Sequence, residues 1–248
     1  MSDGVTDRRY LTEVAYADSA KLQARRSIYA HRSPRRSMHD WARSLVDWPS
    51  GGAVLDVGCG PGTHLAGLDG VRAVGVDLSF GMAREARAHA PTAVGDAARL
   101  PFADATFDRV LALHMLYHCP DIPATVRELR RVLQPGGVLV AVTNAADHLV
   151  ELRELRRAVT SVDPLRATER FSLENGGDVL RGAFADVRVE RVDGEIAVPT
   201  ASPVVDYVAS TAGWDPAAEV AFAAAVDAVI ERDGAFRART RAGAFICR

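Results

Sequence analysis

The 248 residues of the chain can form one sizeable core, or a core with a small appendage. Hydrophobic residues make up 48% and charged residues 25%, and the net charge of −2 gives no general attraction to nucleic acid or anionic membranes. The polar start, Met1–Arg9, does not look like a signal peptide, and no apolar run reaches about 18 residues, so we expect no membrane span. The three cysteines are widely spaced without a CxxC pair, which favours a reduced, cytoplasmic location and no local zinc cluster.

The first two thirds of the chain predict a parallel α/β sheet behind a helical N-terminal segment. Residues 1–48 have helical patterns, and Ala53–Val57 is an apolar strand followed by glycines and a helix to about Leu68. Further apolar runs alternate with helical patterns, as is typical of parallel sheets. The predicted strands are Arg72–Val76, Thr92–Gly95, Phe107–Met115 and Val138–Thr143, and the predicted helices are Ser79–His89 and Asp121–Leu133, with a turn at Gln134–Gly137.

The last hundred residues have a less regular pattern. A charged helix is predicted at Asp147–Thr160, a strand with a bend at Gly194 over Val187–Val198, and a final edge strand at Ala242–Cys247; two further helices are predicted at Ser202–Ala212 and Ala217–Arg232. We therefore expect a helical cap or lid at residues 1–48 and one domain at residues 49–248. In that domain, residues of about 146–185 and 199–235 are expected as insertions on the substrate side.

The glycine loop after the first strand predicts a ligand site. Glycines at positions 58, 60 and 62 let the backbone approach a ligand, but the spacing fits neither a phosphate-binding loop ending in GK[ST] nor the GxGxxG of dinucleotide sites. Asp77, at the end of the second strand, can accept hydrogen bonds from two ribose hydroxyls, as in dinucleotide and methyl-donor sites alike. Asp56 favours a ligand with an ammonium group over a pyrophosphate, and Asp96 and Ala97 can address an adenine edge.

These blocks together resemble the class I S-adenosylmethionine-dependent methyltransferases, in the subgroup that acts on small molecules. The resemblance is carried by Leu55–Gly62, Gly75–Ser79, Gly95–Phe102, Phe107–Asp108 and Leu129–Gly137, in order and at matching spacing. It implies a Rossmann-like, mostly parallel seven-stranded sheet with a reversed last strand. It also implies S-adenosylmethionine as cofactor, S-adenosylhomocysteine as product, and methyl transfer to an O, N or C atom of a small-molecule acceptor. Specialised metabolism is one setting in which we expect such an enzyme.

The resemblance also implies which residues contact the cofactor. Asp56 would lie under the methionine tail, Asp77 would bind the ribose and Leu78 would flank the adenine. Met82 would pack on the adenine, or else be an ordinary core residue. The remaining implied contacts are Gly58, Cys59 and Gly60 in the loop, Asp96 and Ala97 at the adenine edge, and Leu113 and His114 near the methyl group.

Methyl transfer by in-line displacement depends mainly on positioning, and a base helps only where the acceptor must lose a proton. His114 is the candidate base, while His118 and Tyr117 are candidates for packing or orienting roles. The two histidines lack the intervening acid of an HExxH motif, so we expect no metal. Candidates for the substrate entrance are Tyr16, Tyr29, His31, His39, Asn144 and His148. An N-terminal arginine cluster forms either a solvated face or an anion-contacting lid; it comprises Arg25, Arg26, Arg32, Arg35, Arg36 and Arg43.

Three alternative functions share this sequence pattern. One is an RNA or protein methyltransferase, although the segment after the fourth strand lacks an Asn/Asp-Pro-Pro-aromatic block and Cys119-Pro120 reverses the Pro-Cys order of cytosine-C5 enzymes. A second is a dinucleotide oxidoreductase, which the glycine spacing and Asp56 oppose. The third is a non-catalytic S-adenosylmethionine-binding protein. We expect a monomer or homodimer whose partner is a small acceptor, with neither nucleic acid nor membrane.

Overall fold

The computed structural model describes residues 5–35, 37–160, 167–211 and 214–248. Arg36, which belongs to the arginine cluster, and Ala212, the predicted end of a helix, lie outside the described residues. None of the helices within the described ranges combines the length and apolar character that crossing a membrane requires.

In the described part of the chain, eight strands form one sheet in the order β1-β7-β8-β6-β5-β2-β3-β4. The strands from β6 to β4 in this order are parallel, as predicted for an α/β sheet. The strands are β1 (Arg32–Ser33), β2 (Ala53–Val57), β3 (Arg72–Asp77), β4 (Thr92–Val94), β5 (Phe107–Leu113), β6 (Leu133–Asn144), β7 (Val187–Val198) and β8 (Phe236–Cys247). Seven strands form the expected Rossmann-like sheet, and the two-residue β1 extends it by one.

The last strand is reversed, but the prediction that it lies at an edge is wrong. β8 begins at Phe236 and pairs antiparallel with β6 on one side and with β7 on the other. Ala242–Cys247 is buried throughout, since both faces and both edges of this part of β8 are covered. A continuous apolar run is typical of such central strands, and this signal could have placed the strand correctly. β7 runs unbroken through Gly194, where the sequence suggested a bend.

Except after the glycine loop, helices form close to the predicted bounds, and two short helices, at Ala167–Arg170 and Gly176–Arg181, form where the sequence predicted none. The helices are α1 (Arg8–Tyr10), α2 (Ala20–Ser27), α3 (Met38–Arg43), α4 (Phe80–Ala86), α5 (Ile122–Val132), α6 (Val150–Thr160), α7 (Ala167–Arg170), α8 (Gly176–Arg181), α9 (Ser202–Ala209) and α10 (Glu219–Asp233). Asp121 caps α5 by accepting a hydrogen bond from the Ala124 amide at 2.8 Å. The helix predicted after the glycine loop is wrong: only a 3₁₀ turn forms, at Leu65–Gly67. Glycines at 62, 67 and 70 lower the helix propensity of that segment.

The two faces of the sheet carry separate apolar clusters, because side chains alternate along each strand. On β6, Leu139 and Ala141 face the cluster that α5 and α8 cover, whereas Val140 and Val142 face the one that holds Trp41 of α3. A further cluster joins α9 and α10 to the ends of β7 and β8. The sheet is thus covered on both faces, and its carboxyl ends remain for a site.

The N-terminal segment packs against more than one part of the molecule. Residues 5–31, which we call the covering segment, lie over the carboxyl ends of β2 and β3, as the contacts below show. Ile28 is fully buried in the cluster of α9 and α10, and Trp41 of α3 packs on the sheet. The division into residues 1–48 and 49–248 stays a prediction.

Candidate functional site

The glycine loop between β2 and the Leu65–Gly67 turn is tied to β3 by its own backbone. The amides of Gly58 and Cys59 both donate to the carbonyl oxygen of Val76, at 2.7 and 3.1 Å. Gly58 and Gly60 adopt the left-handed region, with φ of +68° and +55°. A Cβ atom on Gly58 would lie 2.7 Å from Cβ of Met115, so only glycine allows this approach. The loop therefore presents backbone to the carboxyl edge of the sheet, where α/β folds bind ligands.

The Cys59 side chain turns away from that edge. Its thiol is buried with Leu65 and Ala86, and a Cβ atom on Gly75 would lie 2.8 Å from Cys59 Sγ. Burial raises the pKa of the Cys59 thiol, with Asp56 and Asp77 adding to the effect. Cys59 can therefore meet a ligand through its backbone rather than through a reactive thiolate.

Asp56 is a buried carboxylate without a partner. It is 1% exposed on β2, and neither carboxylate oxygen has a hydrogen-bond partner in the described part of the chain. Burial, together with the nearby charge of Asp77, raises the pKa of Asp56 to about 8. An orphaned carboxylate of this kind costs free energy unless a ligand supplies a donor or a positive charge.

Asp77 holds the loop in place from the end of β3. Its Oδ2 accepts a hydrogen bond from the Gly60 amide and its Oδ1 accepts one from the Ser79 amide, both at 2.8 Å. Burial raises the pKa of Asp77, and these two amide donors oppose that shift. Each carboxylate oxygen accepts one hydrogen bond here and keeps capacity for another, so Asp77 can still receive two ligand hydroxyls.

The predicted adenine end is covered by the N-terminus of the chain. Oδ1 of Asp96 accepts from the Ala98 amide at 2.9 Å, and its Oδ2 pairs with Arg8 at 3.0 Å. Leu78 lines a surface cavity of about 440 Å³ between α4 and Thr12–Ala17, whereas Met82 is only 1% exposed. Ala97 packs against the main core cluster. Any adenine contact by Asp96 therefore shares its carboxylate with Arg8.

The segment after β5 carries the three predicted catalytic candidates. His114 adopts a left-handed conformation with φ of +58°, which ends the strand, while its amide still donates to Val142 at 2.9 Å. Side chains other than glycine seldom adopt this conformation, and where they do it often marks a functional site. Burial, with Arg26 and His39 nearby, lowers the pKa of His114 to about 4. Leu113, just before it, is half-buried beside the α3 cluster.

His118 joins this segment to the covering segment. Its Nδ1 lies 2.8 Å from the carbonyl oxygen of Val5, so Nδ1 carries the proton and Nε2 accepts from the Tyr16 hydroxyl at 2.9 Å. Burial lowers the pKa of His118 to about 4, which keeps it neutral. The Tyr117 ring packs edge-on against His118 with ring centroids 4.6 Å apart, and burial raises the pKa of the Tyr117 hydroxyl.

Other contacts also close the covering segment onto α4. The Ser79 hydroxyl donates to the carbonyl oxygen of Tyr16 at 2.6 Å, and the Ser19 amide donates to Glu85 at 3.2 Å. A Cβ atom on Gly81 would lie 1.7 Å from the carbonyl oxygen of Ala17. The covering segment thus rests directly on the residues that surround the glycine loop.

Two further contacts involve histidines, one between His39 and His64 and one between His148 and Tyr29. The rings of His39 and His64 have centroids 4.0 Å apart, and burial lowers the pKa of His39 to about 4 and that of His64 to about 2. His148 meets the Tyr29 hydroxyl at 2.9 Å through Nε2, and burial lowers its pKa to about 3. Asn144 ends β6 and is half-buried, as is His31 in the turn after α2. Burial therefore keeps His39, His64 and His148 neutral near pH 7.

Comparison with known proteins gives one family match. The sequence pattern of the Methyltransferase domain family matches residues 55–141, which run from β2 to β6. The chain carries a class I S-adenosylmethionine-dependent methyltransferase domain. This domain contains the glycine loop, Asp77, Asp96 and the segment His114–His118, whereas the covering segment lies outside it.

The methyltransferase domain is shared with relatives of different names. The malonyl-[acyl-carrier protein] O-methyltransferase of Enterobacter lignolyticus is 38% identical over 138 residues, 53% of this chain and 55% of that protein. A Bacillus subtilis protein named for 23S rRNA (guanine-N(1)-) methylation is 34% identical over 155 residues, 54% of this chain and 51% of that protein. The chain therefore spans about half the length of these curated relatives.

The fold of the methyltransferase domain extends over more of the chain than the sequence matches do. The structure of phosphoethanolamine N-methyltransferase 2 of Haemonchus contortus, solved with phosphomonomethylethanolamine and S-adenosylhomocysteine, superposes with a TM-score of 0.60 at 18% identity. It covers 98% of this chain and 59% of that chain. At this identity the likeness concerns the fold alone.

The motif spacing correctly predicts that most of the proposed cofactor residues lie close together. It does not predict their contacts with the covering segment. Asp56, Asp77 and the loop glycines meet at one edge of the sheet, as the motif spacing implies. Neither the buried His64, two residues after Gly62, nor the link between Arg8 and Asp96 was among the predicted site residues. No local signal marks the partner of Arg8.

Proposed function

We propose that the protein transfers a methyl group from S-adenosylmethionine to a small-molecule acceptor. The observation that carries the proposal is the orphaned carboxylate of Asp56 beneath a glycine loop whose backbone Asp77 holds. The domain match at residues 55–141 and the S-adenosylhomocysteine in a structural neighbour support the same cofactor.

The residues present fit this cofactor. Asp56 would face the charged methionine tail, whose ammonium group would satisfy a carboxylate that is otherwise without a donor. Gly58 and Gly60 would let the cofactor lie against the backbone, and Asp77 would use its spare lone pairs for the ribose hydroxyls. Leu78, Asp96 and Ala97 would surround the adenine, with Arg8 beside it.

When bound, the cofactor supplies a methyl group on a positively charged sulfur. The side chains then have to hold the acceptor in line and exclude water, and these two tasks supply most of the rate in such displacements. His114, Tyr117 and the covering segment would enclose the reacting atoms. With a pKa of about 4, His114 is a weak base, so we assign it to orientation of the acceptor rather than to removal of a strongly held proton.

A small acceptor is favoured over a nucleic acid because the charge is balanced. A net charge of −2 gives little of the phosphate attraction that dominates RNA binding. The relatives named for a carrier-protein substrate and for rRNA show that this domain occurs with different acceptors, so the domain match does not select between them. The covering segment and residues 146–235, outside the matched range, would select the acceptor.

A pooled-metabolite assay with methyl-labelled S-adenosylmethionine tests the proposal, with mass identification of any labelled product. We expect a labelled small molecule and stoichiometric S-adenosylhomocysteine. Calorimetry with S-adenosylhomocysteine and a parallel incubation with bulk RNA complete the design. Tight cofactor binding without turnover of any acceptor would favour a non-catalytic binding protein, and label in RNA alone would favour an RNA methyltransferase.

A further inference from the structure

Helix α2 of the covering segment carries Arg25, whose guanidinium contacts Tyr16 beside the candidate site. The half-buried Arg25 donates from Nη1 to the Tyr16 hydroxyl at 3.1 Å, and the guanidinium carbon lies 4.8 Å from the centre of the Tyr16 ring. Its other bonds are to backbone oxygens, from Nε to Lys21 at 3.2 Å and from Nη2 to Ala15 at 3.3 Å. The Tyr16 hydroxyl in turn donates to His118, so Tyr16 links Arg25 by hydrogen bonds to the segment that follows β5.

Among the described residues, no carboxylate forms an ion pair with Arg25, and it has no further hydrogen bond or ring contact beyond those given above. A guanidinium has five N–H donors, and three of them are used here, so two remain. Partly desolvating a cation without a counter-ion is costly, which indicates that a ligand supplies the negative charge.

The acidic side chains of the site lie at the carboxyl ends of β2 and β3. Asp56 and Asp77 end the strands beneath the glycine loop, where the proposed cofactor would use both of them. Next to Arg25 lie the Tyr16 hydroxyl and, hydrogen-bonded to that hydroxyl, the neutral His118. His114 and His148 are neutral as well. Among the described residues, the surroundings of Arg25 therefore offer an unpaired cation and a polar hydroxyl, and no carboxylate forms an ion pair there.

We propose that the acceptor carries a carboxylate, or a closely similar oxyanion, and that the free N–H groups of Arg25 bind it. The inference rests on the methyl-transfer function proposed above and names its substrate class. The anion serves as the anchor that orients the acceptor, while the atom that receives the methyl group lies toward the cofactor. A planar guanidinium suits this task because its fork matches the two oxygens of a carboxylate.

The experiment uses the full-length protein with the acceptor that the labelled-methyl assay identifies. Kinetics are compared for wild type, Arg25→Gln, Arg25→Lys and the control Arg9→Gln, which removes an arginine of the same segment that pairs with Glu13 on the exposed face. The acid is also compared with its primary amide. Calorimetry with S-adenosylhomocysteine and thermal unfolding accompany each variant, because Arg25 also supports Tyr16 and a structural role would lower stability and cofactor affinity together.

We expect an acceptor that is anionic at the assay pH, and a KM that rises at least about tenfold in Arg25→Gln with much less change in kcat and in cofactor affinity. Arg25→Lys should recover part of the loss, Arg9→Gln should match wild type, and only wild type and Arg25→Lys should prefer the acid over its amide. A neutral or cationic acceptor, or an acid preference that survives in Arg25→Gln, overturns the inference and leaves methyl transfer standing. Cofactor binding without any product overturns the proposed function, and the inference falls with it.

Discussion

Two walls face each other across the candidate site, and their charges differ. The acidic wall consists of the carboxyl ends of β2, β3 and β4 with Asp56, Asp77 and Asp96. The covering segment opposite contributes the guanidinium groups of Arg8 and Arg25. Arg8 already pairs across the gap with Asp96, while Asp56 and Arg25 lack a charged partner within the described residues. A positively charged methyl donor would fit the first wall and an anionic acceptor the second, which corresponds to the proposed arrangement of one substrate at each wall.

The largest effect is expected where one added methyl group separates the covering segment from α4. In Gly81→Ala the new Cβ atom would lie 1.7 Å from the carbonyl oxygen of Ala17, so the covering segment must move. Alanine favours the α4 helix by about 1 kcal/mol, so the helix itself should survive. We expect much faster tryptic cleavage after Lys21 and Arg25 with unchanged secondary structure. Gly177→Ala, where the nearest atoms are at 3.4 Å, is the control. Equal cleavage rates in both variants would show that the segment does not rest on α4.

Burial of the Asp56 carboxylate in the acidic wall should make the free energy of unfolding depend on pH. The pKa of Asp56 is raised to about 8, above its ordinary value, so folding favours its protonated form and stability falls as pH rises from about 4 to about 8. Asp56→Asn cannot ionise, so its stability relative to wild type without cofactor should rise through this window by several kcal/mol, at most about 5–6 kcal/mol. Urea unfolding at pH 5, 7 and 8.5 measures it, with the exposed Asp178→Asn as control. A difference that stays constant with pH contradicts the assignment.

The same wall should lose its ligand when Asp77 is removed. Asp77→Ala takes away the acceptor for the Gly60 and Ser79 amides and the proposed ribose contacts. We expect S-adenosylhomocysteine affinity to fall by roughly 1–3 kcal/mol, or about 5- to 150-fold, because hydrogen bonds to a charged group are lost. Calorimetry against wild type and the exposed Asp69→Ala checks the prediction. Unchanged affinity would remove Asp77 from the cofactor site.

The two walls also differ in how well the sequence predicts the positions and contacts of their residues. Asp56, the glycines and Asp77 are close in the chain or follow parallel strands, so motif spacing is sufficient to place them at one edge of the sheet. The contacts of the covering segment are non-local: Tyr16 and His118 are 102 residues apart, and neither carries a periodic signal for the other. The misplaced last strand is a different case, because its continuous apolar run already favours a central position, although its partners β6 and β7 are distant segments. The arginine cluster was visible, but which arginine lacks a partner depends on packing.

A smaller effect is expected from removing the hydrogen bonds that the Tyr16 hydroxyl of the covering segment makes. Tyr16→Phe removes the hydroxyl that donates to His118 and accepts from Arg25 while it keeps the ring. We expect a loss of about 1 kcal/mol in the free energy of unfolding, the usual contribution of a partly buried hydrogen bond, and modestly faster tryptic cleavage of the segment. The matched control is Tyr10→Phe, whose hydroxyl has no hydrogen-bond partner among the described residues. Because the acidic wall keeps all its contacts, S-adenosylhomocysteine should bind Tyr16→Phe nearly as well as wild type. If cofactor affinity instead fell as far as in Asp77→Ala, the two walls would not act on separate substrates, and the assignment of one substrate to each would have to be abandoned.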